Sequence, residues 1–287
     1  MSPAASVSHD GPLALICGGG SLPLAVADSA AARGRRVLLF PVRGAADPAD
    51  YAGRADQHWV HYGQFGTVAR VARSHHCRDM VLLGWLVRPS LRQLRPDFLT
   101  LRVLPHVVRA FRGGDDHLLS SIARVIERHG FCLLGAHEVA PEILMPEGVL
   151  GRAQPSERDR ADVALGFDYL RAAGPFDIGQ AVVVANNHVL AVEAAEGTDH
   201  MLARVAQLRQ SGRISAAKGT GVLVKAPKPA QDRRFDLPSI GPRTVEGVAA
   251  AGLGGMAVTA GSTIIAEPGR LIQAADRTNV FVLGAPT

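Results

Sequence analysis

Leu13–Val42 reads LALICGGGSLPLAVADSAAARGRRVLLFPV. The apolar run Leu13–Cys17 has the length of a buried strand. Gly18, Gly19, Gly20 and Ser21 form a tight turn, and the alanine-rich Leu22–Arg33 suits a helix that Gly34 ends. Val37–Val42 is a second apolar strand. Strand, glycine turn, helix and strand in this order open a Rossmann-like α/β domain. Backbone N–H groups at such a turn can cradle a phosphate or another anion, and a plain tight turn is the competing reading. The dinucleotide fingerprint is incomplete. Gly18 and Gly20 fit its first two glycines, but Pro23 takes the third, and the second strand ends Pro41-Val42-Arg43 with no acid for a ribose hydroxyl. NAD is therefore not expected, and an oxidoreductase is the weaker reading.

Working outward, Asp56–Tyr62 is a candidate third strand, Gly66–His75 a helix, Met80–Leu83 a buried strand and Leu99–Phe111 a helix. Gly84–Pro89 is then a strand-end loop in which Arg88 either meets an anion or lies on the surface. Asp115 and Asp116 stand where N-cap residues belong, ahead of a helix over Leu118–His129. Capping accounts for one of them; reaching a metal is the alternative. Phe131–Leu134 is a strand, followed by His137 and Glu138 as loop anchors.

The Pro-, Gly- and charge-rich stretch Met145–Asp159 marks a domain boundary, giving domains 1–150 and 151–287, with Asp159–Ala173 as a connecting helix. Two valine-rich runs within Gln180–Ala194 flank Asn186-Asn187, the pattern of a β-hairpin. Its second strand exits through Glu193 and Glu196. Thr198 or Asp199 is then placed to cap a helix running through Arg209. If the chain turns after Ala194, Glu193 and Glu196 can converge, and such carboxylates suit Mg²⁺. Val222–Val224 is a strand. Pro242–Ala251, Met256–Val258, Thr263–Ala266, Pro268–Arg277 and Val280–Leu283 complete a second α/β domain.

Between them lies the most chemically loaded stretch, Val222–Gly241, VLVKAPKPAQDRRFDLPSIG. Pro227 and Pro229 forbid a helix, so Lys225 and Lys228 are expected on a stiff loop at a strand end, where open α/β sheets place their sites. Lys225, Lys228, Arg233 and Arg234 suit several phosphate oxygens, and Asp232 and Asp236 would stay ionised among them. A solvated basic loop is the bland alternative.

Composition narrows the partners. The net charge of +5 favours anions, but no basic run is interleaved with aromatics, so no nucleic acid is expected. Cys17, Cys77 and Cys132 are far apart and follow no metal spacing; they read as buried, reduced thiols of a cytosolic protein. No charged, apolar leader opens the chain, and no segment approaches the ~20 apolar residues of a spanning helix.

The chain resembles the metal-dependent UDP-2,3-diacylglucosamine pyrophosphatases of lipid A synthesis, the two-domain family of alphaproteobacteria. The resemblance rests on Gly18-Gly19-Gly20-Ser21-Leu22-Pro23, Gly114-Asp115-Asp116, His137-Glu138-Val139-Ala140-Pro141-Glu142 and Pro146-Glu147-Gly148-Val149-Leu150-Gly151. It continues through Asp177-Ile178-Gly179-Gln180, Glu193-Ala194-Ala195-Glu196-Gly197-Thr198-Asp199, Lys225-Ala226-Pro227-Lys228-Pro229 and Asp236-Leu237-Pro238-Ser239-Ile240-Gly241.

The resemblance implies Mg²⁺-dependent hydrolysis of UDP-2,3-diacylglucosamine to 2,3-diacylglucosamine 1-phosphate and UMP, with water attacking the sugar-side phosphorus. Mn²⁺ shares the preference for oxygen ligands and is the alternative ion. It also implies a cytoplasmic enzyme working peripherally at the inner membrane, and a homodimer is carried as an expectation. Asp236 is the expected essential carboxylate, with Lys225, Lys228 and Arg234 supplying positive charge. Glu193, Glu196 and Asp199 are the metal candidates. Gly19, Gly20, Ser21, Arg88, Asp116, Gln180 and Thr198 are the substrate-binding candidates, with the active site in the cleft between the domains. A non-catalytic binder of nucleotide sugars or acidic lipids is the alternative.

Overall fold

The structure, a computed structural model, describes residues 11–84, 94–102, 115–176, 178–228, 232–235 and 237–286, with backbone only for 115–120. The chain forms two compact units. The first holds the residues up to Pro141 together with Asp232–Phe235; the second holds the remainder from Glu142. The boundary expected at 150/151 falls just after a strand, Gly148–Leu150, that belongs to the second sheet.

The first unit is built on β1 (Leu13–Cys17), α1 (Leu22–Ala32), β2 (Val37–Pro41), α2 (Phe65–Ser74), β3 (Asp79–Leu83), α3 (Asp115–Arg128), β4 (Cys132–Leu133) and the single turn α4 (Ala136–Val139). Its sheet is wholly parallel, in the order β2-β1-β3-β4. Apart from Asp79, which opens β3 and pairs with Arg35, the strands are apolar, as in parallel sheets covered on both faces. The order reverses between β1 and β3, the place where doubly wound sheets open a crevice at their strand ends. The glycine turn leaves β1 at this point. Gly18 donates to the Leu83 carbonyl at 2.7 Å. Gly84, at φ +93, lies so close that a Cβ there would stand 2.8 Å from the Gly19 oxygen.

Asp56–Tyr62 is not a strand. It meets β2 and the residue after it through isolated bridges, Leu39 to Gln57 and Val42 to Val60, rather than a continuous ladder. Asp56 takes a positive φ of 53, which breaks the extended path at its start. Asp115 and Asp116 open α3 from within its first turn rather than from a position before it.

The second unit comprises β5 (Gly148–Leu150), α5 (Glu157–Ala173), β6 (Ala181–Ala185), β7 (His188–Val192), α6 (Gly197–Gln210), β8 (Val222–Lys225), β9 (Ser239–Ile240), α7 (Pro242–Ala250), β10 (Gly255–Thr259), β11 (Ile264–Ile265), α8 (Pro268–Thr278) and β12 (Phe281–Ala285). Six strands form a mixed sheet, β5-β12-β10-β8-β6-β7, in which β8, β10 and β12 run parallel. One face packs on α6, α7 and α8 through Met201, Leu202, Val245, Val248 and Leu271. The other packs on α5 through Val163, with Val182, Val184, Val222 and Val224 beneath it. So α5 is not merely a connector; it covers a sheet face, starting at a capping box between Ser156 and Asp159. The expected strand Thr263–Ala266 shortens to β11 and pairs with β9 outside the main sheet.

Candidate active site

The hairpin of β6 and β7 organises the polar centre of the second unit. Asn186 and Asn187 adopt φ of 53 and 59, the left-handed turn that two-residue hairpins favour. Closing the strands at that end brings their other ends together, and Glu193 donates its N–H to the Ala181 carbonyl at 2.9 Å. β8 runs antiparallel to β6 with Lys225 opposite Ala181, and Ala226 donates to the Gln180 carbonyl at 3.0 Å. Gln180, Glu193 and Lys225 therefore gather at one edge of the sheet because of the pairing itself. The first turn of α6 adds Thr198 to this edge, and Ser239 of β9 adds a carbonyl.

Glu193 and Lys225 are both 6% exposed. Buried charges need partners. Glu193 Oε2 accepts the Gln180 N–H at 2.9 Å, and Oε1 accepts the Thr198 hydroxyl at 2.7 Å. Lys225 Nζ donates to Thr198 Oγ1 at 3.3 Å and to the Ser239 carbonyl at 3.1 Å. The side-chain oxygen of Gln180 is buried here with no hydrogen-bond partner among the described residues. Lys225 is thus the last residue of a strand rather than part of the following loop. The extended residues Ala226–Lys228 follow it, with Lys228 half-buried.

Of the sequence candidates, then, Gln180, Glu193, Thr198 and Lys225 come together. Glu196 and Asp199 turn elsewhere. Glu196 is the N-cap of α6 but makes no side-chain cap; it accepts from Ala194 N at 3.1 Å and pairs with Arg204 at 2.7 Å. Backbone N–H groups, its own first, and Arg204 hold its carboxyl below the ordinary range. Asp199 pairs with Arg243 at 2.7 Å on the surface. Neither Thr198 nor Asp199 caps the helix as expected, because the Thr198 hydroxyl is committed to Glu193. Among the described residues, no three of His, Cys, Asp and Glu come together as a metal-holding group. Glu193, Glu196 and Asp199 do not fit a shared cation.

The remaining charged stretch belongs to the first unit. Arg234 grips Asp232, with Nε to Oδ1 at 3.0 Å and Nη2 to Oδ2 at 2.7 Å, and donates through Nη1 to Glu127 at 2.6 Å. The guanidinium holds the Asp232 carboxyl below its usual range, and Asp232 raises Arg234 in turn. Close by, Glu138 accepts the Gly135 N–H at 2.6 Å, the anchor foreseen for it. His137 is half-buried, its Nδ1 has no partner among the described residues, and its removal from water lowers its pKa below the ordinary 6.5. On the glycine turn Gly19 is buried, Gly20 and Ser21 are exposed, and Ser21 starts α1 without a side-chain cap. Arg88 and Asp236 lie outside the described residues, as does the side chain of Asp116. Cys132 is exposed, unlike Cys17 and Cys77, because β4 turns it outward at the sheet edge.

Two residues of this region stand in the motifs that carry the resemblance but were given no role from the sequence. Gly179 approaches the Glu193 backbone so closely that an added side chain would force a shift. Ser239 contributes its carbonyl, which any residue supplies.

Comparison with known proteins bears on the whole chain. The LpxI N-terminal domain model matches residues 12–143 and the LpxI C-terminal domain model matches residues 146–283. The chain belongs to the LpxI family. It is 42% identical over 273 residues to the UDP-2,3-diacylglucosamine pyrophosphatase LpxI of Caulobacter vibrioides, covering 95% of this chain and 96% of that protein. The LpxI division between residues 143 and 146 lies close to the division into units. Both LpxI domains are α/β here, one Rossmann-like and one with a mixed sheet.

Proposed function

We propose that this protein hydrolyses the pyrophosphate of UDP-2,3-diacylglucosamine to 2,3-diacylglucosamine 1-phosphate and UMP, in lipid A biosynthesis. The observation that carries the proposal is the 42% identity, over 95% of the chain, with a protein named for that activity. The polar cluster supports it: a pyrophosphate needs fixed positive charge, and Lys225 is a buried ammonium whose partners include the Thr198 hydroxyl and the Ser239 carbonyl.

In this reading Lys225 and Lys228 neutralise the diphosphate, assisted by Arg234. Asp236 serves as the essential carboxylate and takes the proton of the attacking water. Water attacks the sugar-side phosphorus, the bridging P–O bond breaks, and UMP leaves. Dependence on Mg²⁺ is part of the proposal on the strength of the resemblance, with Mn²⁺, which shares its preference for oxygen ligands, as the alternative ion. Gly19, Gly20, Ser21, Arg88, Asp116, Gln180 and Thr198 are proposed to contact the substrate. The enzyme is proposed to work in the cytoplasm, peripherally at the inner membrane. Among the described residues, no helix is long and apolar enough to cross a membrane.

The test is UMP release by the purified chain and by Asp236→Ala, with Mg²⁺ or with EDTA. Turnover with metal, falling by roughly three orders of magnitude or more in the variant, is expected. A near-normal rate in Asp236→Ala would overturn the assignment of that residue. Binding of substrate without turnover under any metal would leave a nucleotide-sugar binder.

A further inference from the structure

Glu193 has the position of a metal ligand in the sequence and the surroundings of something else. Both of its oxygens accept protein hydrogen bonds, one from the Gln180 N–H and one from the Thr198 hydroxyl. The two acids that would complete a cation site are committed to Arg204 and Arg243. A threonine hydroxyl has one proton to give. Because the Glu193 carboxylate can only accept, the Thr198 proton points to it, and a lone pair of Oγ1 faces the Lys225 ammonium. The charge of Glu193 therefore sets the polarity of the hydroxyl that receives Lys225. A lysine side chain is long and flexible and does not hold its own geometry. Here the Thr198 hydroxyl and the Ser239 carbonyl are among the groups that hold Nζ.

We propose that Glu193 is a positioning residue: acting through the Thr198 hydroxyl, it holds the Lys225 ammonium in place for the diphosphate, and it does not ligate the metal. The proposal rests on the reading of Lys225 as a diphosphate-binding group. It differs from that reading in giving Glu193 and Thr198 a joint role and in removing Glu193 from the metal candidates.

The experiment compares the full chain with Glu193→Gln, Thr198→Val and Thr198→Ser, each checked by its melting temperature. Three quantities are read: kcat and KM for UDP-2,3-diacylglucosamine, the half-saturating Mg²⁺ concentration, and the rate at which acetic anhydride acetylates Lys225, followed by mass spectrometry. Glu193→Gln and Thr198→Val are expected to lower kcat by about 30-fold or more while the half-saturating Mg²⁺ stays within about 3-fold of wild type. Both should raise the Lys225 acetylation rate several-fold, because an ammonium with weaker acceptors loses its proton more readily. Thr198→Ser, which restores the hydroxyl, should recover kcat to within about 3-fold and return acetylation to the wild-type rate.

A half-saturating Mg²⁺ raised about 10-fold or more in Glu193→Gln, with kcat restored at saturation, would make Glu193 a ligand and overturn the proposal. So would Thr198→Val with wild-type kcat and acetylation, or Thr198→Ser behaving like Thr198→Val. Absence of turnover in the wild-type chain would instead overturn the proposed reaction. The acetylation rates would then decide by themselves whether Glu193 and Thr198 position Lys225.

Discussion

A Cβ added to Gly179 would stand 2.5 Å from the Glu193 carbonyl oxygen and 2.7 Å from Glu193 Cγ. Both distances are far inside van der Waals contact, so one chain segment must shift if residue 179 carries a side chain. The shift falls on the acid that anchors the polar cluster. Gly179→Ala should cost about 1–3 kcal/mol from overpacking. It should also lower kcat by about 10-fold, since Gln180 N–H and Glu193 move apart. Denaturant unfolding and steady-state kinetics check both. Wild-type values in each would mean that the approach of the two segments is unimportant.

The far end of the same hairpin separates stability from activity. Asp162, 1% exposed on α5, accepts the Asn186 N–H at 3.0 Å and the Asn187 N–H at 2.6 Å. Removing the carboxylate takes two charge-assisted bonds from the turn. Asp162→Ala should cost about 2 kcal/mol. Gln180 and Glu193 stand at the opposite end of the strands, so kcat should stay within about 2-fold of wild type below the melting transition. A large loss of kcat in folded protein would contradict this separation.

Asp232 supplies a pH dependence. Arg234 holds its folded pKa below the unfolded value, so the stabilisation is present above the unfolded pKa of about 4 and is lost as pH falls through the folded value. The paired side chains are 32% and 31% exposed, which limits the contribution to about 0.5–1 kcal/mol. Asp232→Asn should be less stable than wild type at pH 7, and the gap should close by pH of about 2. Urea midpoints at the two pH values check it. An unchanged gap would show that the ion pair is not the source.

The three thiols should react in sequence. Burial pushes Cys17 up to about 12 and Cys77 up to about 11. Desolvation also raises Cys132, but that thiol is exposed. Iodoacetamide at pH of about 8 should modify Cys132 in the native protein, slowly, and Cys17 and Cys77 only after unfolding. Peptide mapping reads this out, and early modification of Cys17 would place it outside the β1 core.

The architecture was legible where the physics is local. Short apolar runs such as Leu13–Cys17 and Met256–Val258 read as buried strands, the second extending in the structure to Gly255–Thr259, and Asn186-Asn187 carries its own turn. The site was legible in residue type and much less in partnership. Thr198 has the propensity of a cap, but its hydroxyl is taken by Glu193, five residues back across the end of the hairpin. Asp199 finds Arg243, 44 residues away, and Arg234 finds Glu127, 107 residues away. Such pairings are made by tertiary closure, and no local spacing announces them. Asp56–Tyr62 failed as a strand for a related reason: its composition suits extended backbone, but Asp56 in a left-handed conformation leaves only scattered pairing with β2.

The central claim is a hydrolysis with a defined bond broken, and isotope labelling tests it most directly. Purified protein is incubated with UDP-2,3-diacylglucosamine and Mg²⁺ in ¹⁸O-enriched water, with an EDTA control, and the products are weighed by mass spectrometry. The account predicts metal-dependent cleavage with the label in 2,3-diacylglucosamine 1-phosphate and none in UMP. Label in UMP would contradict attack at the sugar-side phosphorus and the roles given to Asp236 and Lys225, and no cleavage with any divalent metal would contradict the enzyme itself.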